Sequence, residues 1–227
     1  MNRRAGGSQQ IPRPPVWSPG GPAPWAHATD APEVALAPLL EVIRARGPGR
    51  APLVPLEAAR NSAVLIALYD GPRGAEVVLT RRAQHMRNHR GEVSFPGGRM
   101  DPGETAVQTA LREADEEVLL DPTSVTVVGE LDHLNTLVSR SEIVPVVGLL
   151  PGRPALEPGT TEVDKILYVP LAELIRSDTF REERWGVGEA ARSVYFFELD
   201  DETVWGATGR MLVQLLCLAT GAPDRQP

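Results

Sequence analysis

Apolar positions recur along this chain in two rhythms, one with a helical period and one with the alternation or unbroken runs of strands. Val34, Leu36, Leu39, Leu40 and Ile43 follow helical spacing and predict a helix over Glu33–Arg46, ended by Gly47-Pro48-Gly49. The run Ala63-Val-Leu-Ile-Ala-Leu-Tyr69 predicts a strand over Asn61–Tyr69, and Ala75–Thr80 a second after the turn at residues 70–74. A basic loop follows from Arg81 to Arg90, then a short strand at Val93–Phe95. Ala106, Val107, Ala110, Leu111, Ala114 and Val118 make one apolar stripe, predicting an amphipathic helix from Glu104 to Val118. Further strands are predicted at Ser124–Leu131, Glu142–Leu150, Lys165–Val169 and Ser193–Leu199, with a short helix at Pro170–Arg176 and a closing helix at Gly206–Thr220. Elements in this order predict an α/β class, a mixed sheet layered between helices.

Composition narrows the picture. The chain has 227 residues, 42% of them hydrophobic, which allows one ordinary domain with extensions. Residues 1–30 are rich in Pro, Gly and Arg and are expected to be a flexible or loosely docked tail; 31–58 reads as a helical extension, 59–221 as the main domain and 222–227 as a second tail. No apolar stretch reaches membrane length and the N-terminus has no signal-like core, so a cytoplasmic protein without a membrane partner is expected. A net charge of −7 speaks against a nucleic-acid partner. The single cysteine, Cys217, lies in an apolar run and is expected to be a core thiol.

The polar face of the predicted helix at 104–118 carries the chemistry. Glu113, Glu116 and Glu117 stand at i, i+3 and i+4 and so share a face. Like charges there repel, and such a cluster is either a solvated acidic surface or a seat for a hard divalent cation. Arg112, four residues before Glu116, is placed to pair with a carboxylate. Gly98, Glu104, Arg112, Glu113, Glu116, Glu117 and Leu120 together resemble the Nudix box, with Leu119 standing where that pattern has Gly. The resemblance implies a Nudix α/β/α sandwich with a mixed central sheet. It also implies Mg²⁺ or Mn²⁺ as cofactor, held by Gly98, Glu113, Glu116 and Glu117, with Arg112 in the catalytic group. Glu162, on a loop before a strand, is the candidate general base, and Glu142 a poorer one.

Upstream, Leu79, Thr80, Arg82, Ala83, Arg87, Gly91, Phe95, Pro96, Gly97 and Gly98 resemble the second signature of the coenzyme A pyrophosphatase branch of that family, and Val204-Trp-Gly-Ala-Thr208 is similar to its C-terminal pattern. Arg82, Arg87, Phe95 and Gly97 are therefore expected at the substrate. Arginine suits this, because its guanidinium fork bonds two phosphate oxygens at once. His85 and His89 lack metal-ligand spacing and read as surface residues. The implied partner is a small nucleotide of the coenzyme A type, with a homodimer allowed. The implied reaction is hydrolysis of its diphosphate to 3′,5′-ADP and 4′-phosphopantetheine or an acyl form. Two other readings stand beside it: a Nudix pyrophosphatase for another nucleoside diphosphate derivative such as ADP-ribose or NADH, or for a nucleoside triphosphate, and a Nudix-like binding module without turnover. At Leu119, left-handed geometry would cost a leucine roughly 1–2 kcal/mol. The helix is accordingly expected to continue to about Leu120, ending ahead of Pro122, with Leu119 and Leu120 both packed under the sheet edge.

Overall fold

A computed structural model describes residues 4–26, 33–86, 89–136 and 140–224. Within them the chain forms β1 (Trp17–Pro19), α1 (Leu36–Ala45), β2 (Arg60–Gly71), β3 (Gly74–Arg82), β4 (Val93–Ser94), β5 (Gly97–Arg99) and α2 (Ala106–Val118). Then come β6 (Thr126–Glu130), β7 (Leu134–Thr136), β8 (Ser141–Leu149), β9 (Val163–Pro170), α3 (Leu171–Leu174), β10 (Phe180–Trp185), β11 (Arg192–Glu198), β12 (Thr203–Trp205) and α4 (Gly206–Thr220).

The apolar run in β2 is the spine. Successive side chains of a strand face opposite ways. Ala63, Leu65, Ala67 and Tyr69 therefore join the core beneath α2, while Val64, Ile66 and Leu68 join the larger core with α1 and α4. β8 runs parallel to β2 on one edge, and β3 runs antiparallel on the other. β2 and β3 pair only between Leu68↔Val77 and Gly71↔Gly74, and then part. The widening gap is filled by β4 against β3 and by β5 against β2. β9 closes the far edge of β3, and β6 and β7 that of β8. This is the mixed sheet between helices that the pattern predicts, and the gap between β2 and β3 is where the candidate site lies.

The N-terminal segment differs from expectation. β1 pairs with β10 as the edge of a second sheet, ordered β1-β10-β11-β12. Trp25 is fully buried, stacks on Phe197 at 6.2 Å and donates to the Ile175 carbonyl at 3.2 Å. Isolated aromatics in a Pro- and Gly-rich segment look like tail composition, yet here they supply the apolar area that docks it. β10 was also not foreseen, because Arg181-Glu-Glu-Arg184 gives it little apolar alternation.

α2 begins with a capping box. Thr105 Oγ1 accepts from the Gln108 N–H at 3.2 Å, and the Gln108 side chain accepts from the Thr105 N–H at 2.8 Å. Glu104 thus lies ahead of the helix, not inside it. The other end also departs from expectation. Leu119 adopts φ 55° and ψ 36°, the left-handed geometry, and its side chain is 54% exposed. Only Leu120 packs in the core below α2. The turn at Leu119 lets its own N–H reach the Asp115 carbonyl at 2.9 Å and the Leu120 N–H reach Ala114 at 3.3 Å, which closes the helix end. Burial of Leu120 and these hydrogen bonds outweigh the strain. Gly159 then crosses the same end, its N–H on the Glu117 carbonyl at 2.9 Å, so close to Glu116 that a Cβ would collide.

Candidate active site

Arg112 organises the first half of the site. Its Nε and Nη2 donate to the two Glu104 oxygens at 2.8 and 3.1 Å, a bidentate pair. Nη2 also donates to the Arg99 carbonyl at 3.1 Å, tying α2 to β5. Nη1 reaches Glu113 at 3.0 Å and Glu116 at 3.3 Å. Glu104 additionally accepts from the Asp101 N–H and the Thr109 hydroxyl. Led by the Arg112 hydrogen bond, these partners hold the Glu104 carboxyl down to about 2. The sequence pattern matches Glu104 to the box and sets it at the helix N-terminus, where the dipole favours a carboxylate, without giving it a partner. It is the anchor of Arg112, a job visible only once the loop at 99–104 folds back along the helix.

Glu113 and Glu117 form the second half, one turn apart on α2 and facing β5. A Cβ at Gly98 would run into the Glu113 carboxylate, so glycine is what allows that group against the strand. Gly97 is needed for another close approach, since a Cβ there would meet the Ala63 carbonyl, and its N–H donates to Glu117 Oε2 at 3.3 Å. Burial raises the Glu113 carboxyl against the pull of Arg112. Burial also pushes Glu117 up to about 7; the Gly97 hydrogen bond opposes this, and the charge of Glu113 adds to it. As the side chains stand, no group of three or more His, Cys, Asp or Glu among the described residues is disposed to hold a metal ion. The donor set nonetheless fits a hard divalent cation: two desolvated carboxylates that repel each other, beside backbone kept open by glycine. Glu116 is the odd member, exposed and turned to Arg112.

The basic loop meets this helix through Arg82. β3 and β9 pair Arg82 with Val163, and the Ala83 N–H donates to the Glu162 carbonyl at 2.7 Å. That register sets Arg82 Nη2 3.0 Å from Glu162 Oε2. The charges of both reach the Glu117 carboxyl, Arg82 lowering it and Glu162 raising it. Arg82 Nε is buried and has no hydrogen-bond partner among the described residues. Arg87 lies outside the described residues. Phe95, expected at the substrate, is instead 1% exposed and packs in the core beside Val93 and Leu79, so it anchors the loop from below. His85 is exposed, and His89 pairs with Glu92 at 2.8 Å. Glu142, the poorer base candidate, lies on β8 with its carboxylate 3.6 Å from His133.

Against known proteins, residues 59–203 match the NUDIX domain family. The NudL Nudix hydrolase of Photorhabdus laumondii is 36% identical over 157 residues, covering 69% of this chain and 83% of that protein. Nudix hydrolase 3 of Caenorhabditis elegans is 36% identical over 181 residues, covering 70% of this chain and 73% of its own. Among solved structures, a Nudix hydrolase from M. smegmatis, RenU, superposes with a TM-score of 0.45 at 23% identity, covering 51% of this chain and 73% of that one.

Proposed function

The chain belongs to the NUDIX domain family and is a Nudix hydrolase, and from that premise we propose that it cleaves the diphosphate of coenzyme A or an acyl derivative to 3′,5′-ADP and 4′-phosphopantetheine or its acyl form. One observation carries this reading. Arg82, on the signature position of the basic loop, holds its partly exposed guanidinium 3.0 Å from Glu162, and its charge reaches the Glu117 carboxyl. A guanidinium held by one exposed carboxylate near a carboxylate cluster suits a phosphate that must lie against those carboxylates.

Glu113 and Glu117 would hold a divalent cation, with the Gly98 carbonyl and Glu116 as further oxygen donors. Bound there, Mg²⁺ or Mn²⁺ neutralises phosphate charge and acidifies a bound water. Arg112, anchored by Glu104, positions Glu113 and leaves the carboxylates little rotameric freedom. A phosphate arriving at Arg82 competes with Glu162 for the guanidinium. Once displaced, the Glu162 carboxylate is available to take the proton of the attacking water as its oxygen bonds to phosphorus and the other phosphate leaves with the bridging oxygen.

The test is a product screen with Mg²⁺ over coenzyme A, an acyl derivative, dephospho-coenzyme A, NADH and ADP-ribose. Coenzyme A or its acyl form is expected to have the highest kcat/KM, with 3′,5′-ADP as product. A higher value for ADP-ribose or NADH would overturn the substrate assignment and leave the hydrolase reading intact.

A further inference from the structure

β9 carries one residue more than β3 where the two strands approach the carboxylates. Arg81 stands opposite Lys165, but Arg82 stands opposite Val163, so Asp164 has no partner position on β3. The Ala83 N–H then reaches the Glu162 carbonyl at 2.7 Å. An unbroken ladder would set Asp164 opposite Arg82 and Val163 opposite Ala83, with Glu162 one place farther along. The bulge therefore brings Glu162 one place closer to Arg82, whose Nη2 lies 3.0 Å from the Glu162 carboxylate.

The same shift decides which arginine meets Asp164. Successive residues of β3 face opposite sides of the sheet. Val78 packs beneath α2, and Leu79 packs on the other side with α4. Arg82 shares the side of Val78, and Arg81 that of Leu79. In an unbroken ladder Asp164 would lie on the Arg82 side and compete with Glu162 for that guanidinium. In the bulge it turns the other way, 2.9 Å from Arg81 Nε. Arg81 Nη1 donates at 2.6 Å to Glu202, a carboxylate only 1% exposed. Lys165 Nζ at 3.0 Å and the Gln9 amide at 2.8 Å also donate to Glu202. Gln9 belongs to the docked N-terminal segment, outside the residues that match the family. Arg81 itself falls between two matched positions of the upstream signature, Thr80 and Arg82. Its guanidinium bonds one carboxylate through Nε and another through Nη1, and only the bulged register supplies both.

We propose that Arg81 is a positioning residue for the hydrolysis. By gripping Asp164 and Glu202 it fixes the bulge in β9, keeps Asp164 away from Arg82, and so delivers Glu162 to the site. The inference rests on the assignment of Glu162 as general base, and not on which nucleotide is cleaved. It also gives the N-terminal segment a part in the site, because Gln9 steadies the carboxylate that Arg81 grips.

The test is a double-mutant cycle on kcat, measured with Mg²⁺ and the substrate of highest kcat/KM in the screen above. Arg81→Met is expected to lower kcat about tenfold, as loss of a group that orients a working residue does, while Mg²⁺ affinity by calorimetry changes less than about twofold. In a Glu162→Gln background the same change is expected to cost less than about twofold, because no base is left to misplace. A general folding defect would instead lower kcat equally in both backgrounds. Arg81→Met also strips one partner from the buried Glu202, so Asp164→Asn, which leaves that partner in place, is the second variant. It is expected to lower kcat about threefold in the native background and to have no effect beside Glu162→Gln. Losses that multiply with that of Glu162→Gln, or normal kcat in both single variants, would overturn the positioning role. Normal turnover by Glu162→Gln itself would bring down the base assignment and this inference with it. An impaired Glu162→Gln whose loss multiplies with the others brings down this inference alone.

Discussion

Glu104 stands on the loop just ahead of α2 and Glu117 in its last turn, and their carboxyls move in opposite directions. Glu104 is held at about 2 by Arg112, the Asp101 N–H and the Thr109 hydroxyl, while Glu117 is raised to about 7 by burial, which outweighs the Gly97 N–H and the charge of Arg82. A carboxylate surrounded by donors is satisfied where it stands. One that is desolvated beside another carboxylate remains short of positive charge, and that shortage is what a cation relieves. The contrast separates the approach to α2, which builds the site, from the end of α2, which works in it.

Removing the working end should have the largest effect. Glu117→Gln keeps the side-chain volume and deletes the charge, and is expected to lower turnover by roughly a thousandfold or more with the melting temperature of the metal-free protein unchanged or raised. Near-normal turnover would take Glu117 out of the site. At the building end, Arg112→Lys loses the bidentate grip on Glu104 and the reach to Glu113. A supporting interaction of this type carries about 10–100-fold in activity or metal affinity. Titration of Mg²⁺ by calorimetry should show the loss in affinity, accompanied, unlike in Glu117→Gln, by a lower melting temperature.

The two ends also separate on the pH axis. The folded Glu117 carboxyl lies above its ordinary 4.5, so the native metal-free state binds a proton that the unfolded chain does not between pH 7 and 4.5. Its contribution to stability therefore grows as pH falls through that window. Glu104 lies below 4.5, so the stability it supplies is present above that pH and is lost as pH falls toward 2. Denaturant unfolding across pH should show the first effect disappear in Glu117→Gln and the second in Glu104→Gln. Protons and cation compete for Glu117, so Mg²⁺ affinity should rise with pH up to and through about 7. A pH-independent affinity would break the proposed link between Glu117 and the metal. The smallest effect is expected just beyond Glu117. Leu119→Gly relieves the left-handed strain but adds backbone freedom to the unfolded chain, for a net gain of about 0.5 kcal/mol. A loss of stability would mean that the Leu119 contact with the 159 crossing matters more than its backbone.

Much of this was legible in the residue order. The acidic face of α2, its apolar stripe and the inner strands follow from short-range spacing, which acts on a helix or strand wherever it is placed. Phe95 shows the limit of a matched motif: its position marked a functional loop, but its burial makes it a support and not a contact. Leu119 shows a local rule overruled, since the penalty for its geometry is smaller than the gain from burying Leu120 and closing the helix end.

The sequence by itself determined which carboxylates share a face and which arginine stands beside them, because both are matters of helical period. Only the tertiary structure decided that Glu162 meets Arg82, eighty positions earlier in the chain, through the register of β3 on β9. It alone set Glu104 under Arg112 and sent Trp25 into the core from a segment whose composition looked loose. These outcomes depend on which surfaces remain to be buried or paired once the local elements have formed, and no local pattern carries that information.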